Sequence, residues 1–577
     1  MRKRERLKNL IGVARGLKEP ELVLKGGRVV NVFSGEIITA DVALYDGIIA
    51  GVGSYEGARV IDATGCYIAP GFIDAHMHLE STMLSPQELA KAVIKHGTTA
   101  IMADPHEIAN VMGIEGIRFL MDAARRLPVD IYFMLPSCVP ATGLETSGAV
   151  LSVAALQTLR RHKRVLGLAE MMNYPGVING DNEALEKLIA FSGAVCDGHA
   201  PLLSGRDLNA YIAAGIHSDH ECSDLAEARE KLRLGMHIMI RQGTLAKNLK
   251  TLLPLVNKDN ICHFSLATDD LHPHDLLAQG HLDHLVNLAV EEGLDPVSAI
   301  RMVTCNTARY FGRRDVGAVA PGYKADLLIL SSLAPLCIRS VIKGGRIVFA
   351  QGELPVETTA AAAKAQPGKM GRINIRPFAP GALAVPEAEG KIRVIGLVPE
   401  QILTKQLTVA PKIAGRTVVS DVDRDILKLA VFERHQRTGN IGIGFVSGFG
   451  LKRGALASSV AHDSHNIIVV GCDDEEMFAA VKAIEKMNGG MTAVCQGQVL
   501  ASLALPIAGL MANAPLAEVA ASWQELRRAA HELGSGLPEP FMALSFLALP
   551  VIPELRLTDR GLVDVNLFRH VAIFADA

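Results

Sequence analysis

The chain has 577 residues, 49% of them hydrophobic, which is too long for one core and predicts several domains. Charged residues make up 21% and the net charge is −3, giving no reason to expect nucleic acid or an anionic membrane as partner. Nine cysteines, scattered singly with no Cys-x-x-Cys, argue against a disulfide framework and a cysteine zinc site. The basic stretch Met1 to Lys8 leads into no apolar run, and no stretch reaches the length of a membrane span, so a cytoplasmic enzyme is expected. Of 19 histidines, 14 fall between His76 and His284. Histidine serves both metals and proton transfer near neutral pH, so the chemistry is expected there.

In chain order, residues 1–21 read as a charged helical extension. In 22–70, Leu22–Val30 and Asp41–Ile49 break at Gly26-Gly27 and Asp46-Gly47, which are hairpin signals. Residues 313–355 repeat this pattern, and Lys343-Gly344-Gly345-Arg346 echoes Lys25-Gly26-Gly27-Arg28. The two segments read as halves of one small β-sandwich interrupted by residues 71–312. Within that interruption, strands at 71–76, 98–104, 130–135, 164–169, 193–198, 215–219, 236–240 and 262–268 alternate with helices such as 86–96, 115–126, 183–191, 224–234 and 284–292. Eight such units have the size of a (β/α)8 barrel, whose chemistry sits at the C-terminal ends of the strands. Ligand-type residues do gather there: His76 and His78, Asp104 to Glu107, Glu170, Asp197 to His199, His217 to Glu221, and Asp269-Asp270. Residues 356–374 read as an Ala/Pro-rich linker. Residues 375–577 read as a separate α/β domain, with a strand at Ile467–Val470 and helices near 474–487 and 516–533. Its His462-Asp463-Ser464-His465 stretch is either a polar loop entering a strand or a loop covering the barrel mouth.

The run from Ile68 to Ser81, IAPGFIDAHMHLES, ends an apolar strand in two histidines. Alternate side chains on a strand face one side, so His76 and His78 can grip one metal ion. The run APGFIDAHMHLE resembles the first-strand signature of the amidohydrolase superfamily of metal-dependent hydrolases. With Asp104-Pro105-His106-Glu107, Ser218-Asp219-His220-Glu221 and the C-terminal domain, nearly the whole chain is similar to bacterial adenine deaminases. The resemblance implies the same split β-domain around a barrel and hydrolytic deamination of adenine, with a metal-held hydroxide attacking C6. It implies His76, His78 and Asp269 on one ion, His199 and His220 on a second, and Glu170 between them. His217 competes with His220 for its place, and His220 fits the family pattern better. Many two-metal relatives carry a carboxylated lysine at the end of the fourth strand; here Glu170 stands there. One-metal deaminases usually carry a glutamate three residues after the strand-five histidine; here that residue is Leu202. Both departures favour two metals, with Mn²⁺ or Fe²⁺ preferred and Zn²⁺ compatible with the nitrogen and oxygen donors. Asp269 is expected to shuttle protons and Glu80 to act as the second acid. His106, Glu107 and Glu221 are candidates to touch substrate, and Arg241 and Gln242 to read a purine edge. A homodimer or higher homo-oligomer is implied as well. The rival readings are a cyclic-amide hydrolase or N-acetyl-sugar deacetylase on the same scaffold, or a non-catalytic scaffold protein, which would not be expected to keep a full ligand set.

Overall fold

The structure is a computed structural model that describes residues 2–355, 371, 373–398, 401 and 403–575. Its centre is a ring of eight short strands: Phe72–Met77, Thr98–Ala103, Asp130–Leu135, Val165–Met171, Val195–Gly198, Ser218–Asp219, His237–Arg241 and Phe264–Ala267. The first five pair in parallel as one arc and the last three as another. The arcs meet on one side through a parallel bridge between Met77 and Asp269, and on the other through the Gly198 N–H, which donates to Ser218 Oγ at 3.2 Å. The strands are almost wholly buried, as expected where helices cover a parallel sheet. Alternate residues Ile73, Ala75, Ala100, Met102, Tyr132, Met134, Ala169, Met239 and Ala267 fill the interior. Helices between the strands start where the sequence supplies caps: Ser85, Ser152, Asp181 and Asp224 each accept a backbone N–H of the first turn, satisfying donors the helix leaves open.

Segments on either side of the ring join in one further sheet. Strands Leu22–Val30, Ile37–Tyr45, Ile48–Gly53, Val60–Asp62 and Tyr67–Pro70 are joined by Leu327–Leu333, Leu336–Lys343 and Arg346–Ala350. The seam is antiparallel, with Leu327 opposite Pro70 and Ile329 opposite Ile68. These strands follow a single hydrogen-bonded path, with Val60–Asp62 pairing beside it. The helix Arg2–Ala14 lies on this sheet, with Val13 packed on Ala43 and Ala50. The linker read at 356–374 falls outside the described residues except for 371, 373 and 374. Beyond it, eight strands between Ile392 and Ala504 form another sheet, flanked by the helices Asp474–Met487 and Leu516–Glu532. This C-terminal region sits on the barrel mouth, where the Ala512 N–H donates to the Met83 carbonyl at 2.7 Å.

Candidate active site

The mouth of the ring gathers His76, His78, Glu170, His199, His220 and Asp269. His76 and His78 end the first strand, their Nε2 atoms 3.2 Å apart. Asp269 follows the eighth strand and is held beside them by its own backbone, its N–H donating to the His76 carbonyl at 3.0 Å. Its Oδ1 lies 3.5 Å from His76 Nε2 and 3.2 Å from His78 Nε2. Glu170 ends the fourth strand, and its Oε2 lies 2.6 Å from His199 Nδ1 and 3.0 Å from His220 Nε2. Its other oxygen is 3.5 Å from His78 Nε2, so the carboxylate reaches both halves of the cluster. Gly198 allows the fifth strand to come this close: a Cβ there would lie 2.2 Å from the Ser218 carbonyl oxygen.

These donors suit a divalent cation. His78 Nδ1 faces the Asp104 carbonyl at 3.1 Å, which takes the ring proton there and leaves the Nε2 lone pair turned into the site. The 3.2 Å spacing of the two Nε2 atoms matches neighbouring ligands on an ion bound at about 2.1 Å. Both carboxylates are anionic. Burial pushes Glu170 up, but His199 and His220 outweigh it and hold it well below the ordinary carboxylate range. Burial acts likewise on Asp269, and Arg241, His76 and His78 overcome it.

Next to this cluster lies a cavity. Glu80, Glu107 and Asp270 line its barrel side, and Trp523, Phe541 and Met542 of the C-terminal region face them. Glu80 Oε1 accepts the Ile108 N–H at 3.0 Å, while its buried Oε2 has no hydrogen-bond partner among the described residues. Burial, and then Glu107, push this carboxyl up to about 7. Burial also pushes Glu107 up, but His462 and His465 outweigh it and hold it well below its ordinary range. His106 links the two regions: its Nδ1 is 3.3 Å from Glu170 Oε1, and its Nε2 is 3.5 Å from Glu107 Oε1.

Residues 67–348 match the amidohydrolase family, and residues 401–569 match the adenine deaminase C-terminal domain. "Adenine deaminase 2" of Carboxydothermus hydrogenoformans is 48% identical, spanning 98% of this chain and 99% of its own. "Adenine deaminase" of Desulfatibacillum aliphaticivorans is 50% identical over 98% of this chain and 99% of its own. That of Methanothrix thermoacetophila is 49% identical over 99% and 100%. The chain belongs to the adenine deaminase family of amidohydrolases. Membership and the donor set together assign divalent-metal use to the site.

The structure separates the family chain's remaining candidates. His217 is exposed, whereas His220 is buried in the cluster. The Arg241 guanidinium pairs with both oxygens of Glu221 and with Asp269 Oδ2 at 2.7 Å. Glu221 therefore lies at the rim of the cluster, outside the lining of the aromatic cavity. Asp104, expected among the strand-end residues but given no role of its own, lies against His106, its Oδ2 3.2 Å from His106 Nδ1. Sequence reasoning missed the aromatic wall, for which the chain's single tryptophan, Trp523, was the available signal.

Proposed function

We propose that this chain hydrolyses adenine to hypoxanthine and ammonia, with His76, His78 and Asp269 holding one divalent ion, His199 and His220 a second, and Glu170 bridging them. Mn²⁺ or Fe²⁺ is the preferred pair, and Zn²⁺ is compatible with the same donors. The observation that carries the reading is this donor cluster beside a cavity with carboxyls on one side and an aromatic, apolar wall on the other. A heteroaromatic base with a polar edge has the matching chemistry. Relatives matched along their full length bear the adenine deaminase name, which does not favour an amide-hydrolysing reading. We read the two arcs as one (β/α)8 barrel, the sheet shared by 22–70 and 313–355 as its split β-sandwich domain, and 375–577 as an adenine-deaminase-type α/β domain.

Bound divalent ions bring the pKa of water down to roughly 7, which supplies a nucleophile at neutral pH. The chain's own residues do the rest. Asp269 takes the proton released by the attacking water and returns it to the departing amino group. The C6–O bond forms first; the C6–N bond then breaks as the C6 oxygen becomes a carbonyl, the nitrogen leaves as ammonia, and the second water proton returns to the acid that protonated the ring. C6 is a poor electrophile until a ring nitrogen is protonated. Glu80 lines the cavity, and its Oε2, without a hydrogen-bond partner among the described residues, is placed to give that proton. Glu107, anionic and facing the same cavity, accepts a purine N–H, with His106 beside it. Arg241 keeps Asp269 oriented by holding its second oxygen.

Ammonia release from adenine by metal-stripped protein refilled with Mn²⁺, with metal per chain quantified, tests the reading. Activity restored near two equivalents supports it. Restoration at one equivalent removes the Glu170 bridge, and full loading without ammonia rejects adenine. The proposal includes a cytoplasmic homodimer or higher homo-oligomer, which light scattering on purified protein tests. Among the described residues no helix is long and apolar enough to cross a membrane.

A further inference from the structure

Glu107 is gripped from outside the barrel. His462 Nδ1 lies 2.9 Å from Glu107 Oε1, and His465 Nε2 lies in ion-pair contact with Glu107 Oε2. Both histidines belong to the C-terminal loop between the strands Ala455–Ser458 and Ile467–Gly471, and both are buried. The loop is anchored on either side of them. The His462 N–H donates to the Ser545 carbonyl at 3.1 Å, and Asn466 Nδ2 donates to the Thr146 carbonyl at 2.8 Å. His465 adopts a left-handed backbone (φ 52°), a conformation that a non-glycine residue holds only when its surroundings impose it.

Glu107, His462 and His465 also have the spacing of a metal site, but the ring proton argues against that use. The Ala461 N–H donates to His465 Nδ1 at 3.2 Å, so the neutral ring carries its one proton on Nε2. That nitrogen has a proton to give and no lone pair for an ion. We propose that His462 and His465 are positioning residues of the deaminase reaction, through which the C-terminal domain fixes the Glu107 carboxylate for the purine. The proposal rests on Glu107 touching substrate. Each Glu107 oxygen has a further lone pair beyond its contact with a histidine, so the carboxylate can still accept a purine N–H.

The test is KM and kcat for adenine, with metal content per chain, in Glu107→Gln, His462→Ala and His465→Ala. Loss of one charge-assisted hydrogen bond is expected to raise KM about tenfold or more, with metal content unchanged. The tautomers predict which replacements rescue. A glutamine amide can stand at the Nε2 position of His465, and an asparagine amide at the Nδ1 position of His462. His465→Gln and His462→Asn should therefore move KM back toward wild type, and His465→Asn should not. A raised KM in Glu107→Gln with wild-type KM in both alanine variants overturns this inference and leaves Glu107 as a substrate contact. Unchanged KM in Glu107→Gln rejects the contact and the inference together. Where an alanine variant does not fold, His465→Gln against His465→Asn decides, and equal KM in those two overturns the proposal.

Discussion

Asp269 meets several demands at one position. Its backbone is left-handed (φ 58°), a cost usually confined to functional sites. Its side chain lies against His76 and His78 through one oxygen and against Arg241 through the other. In the proposed reaction it moves the proton, so Asp269→Asn should lower kcat by roughly 10²–10⁴-fold while circular dichroism stays that of the folded protein. A loss of only a few-fold would assign the proton to another group. Glu80→Gln should cut kcat for adenine to a similar degree and leave metal content at the wild-type value. An enzyme of amide bonds would tolerate that change, since its substrate needs no ring proton. His76, His78 and Asp269 were legible in the sequence because strand alternation and strand-end position are local properties. The pairing of Arg241 was not legible because its partners, Glu221 and Asp269, lie 20 and 28 residues away, and spacing along the chain does not reveal it.

Between elements, one fully buried lysine ties together the loops that carry His199 and His220. Lys231, on the helix Leu225–Arg233, donates to the Ala200 carbonyl at 2.6 Å, to Glu227 Oε1 at 2.7 Å and to Asp219 Oδ2. Ala200 follows one metal-ligand candidate and Asp219 precedes the other. Burial pushes the Asp219 carboxyl up, but Lys231 outweighs it and holds it below the ordinary range. Lys231→Met would leave that carboxylate buried and unpaired, a loss of about 3–5 kcal/mol. The variant should also bind its second metal equivalent more weakly than its first, as read by metal titration. Equal weakening of both equivalents would mean a general loss of stability. The barrel strands that carry these loops could be read from apolar runs bounded by turns. The lysine could not, because a Lys on an amphipathic helix reads as solvent-facing until the tertiary contacts are known.

Across the whole molecule, what the sequence left open was how the regions act on one another. The His462 loop admitted two readings, and its contact with Glu107, over 355 residues of chain, separates them. The β-domain is fastened to the opposite, N-terminal end of the barrel by a charge cluster. Asp130, the first residue of the third barrel strand, lies 2.9 Å from Lys343 and 3.1 Å from Lys324, and Lys343 also reaches Asp326 at 2.6 Å. That end of a barrel is where residues serve stability rather than chemistry. Burial pushes the Asp130 carboxyl up, but Lys343 and Lys324 outweigh it and hold it well below the ordinary range. A carboxyl whose folded pKa lies below its unfolded value of about 3.9 contributes stability that is complete above that value. The contribution is lost as pH falls toward the folded pKa, because the unfolded chain takes up the proton first. Asp130→Asn should therefore melt below wild type at pH 7, with the gap narrowing between about pH 5 and pH 3 as the wild type alone forfeits this term. Calorimetric melting points across that range check it. A constant gap would show that Asp130 acts by packing and hydrogen bonding, with its charge irrelevant to how the β-domain is held.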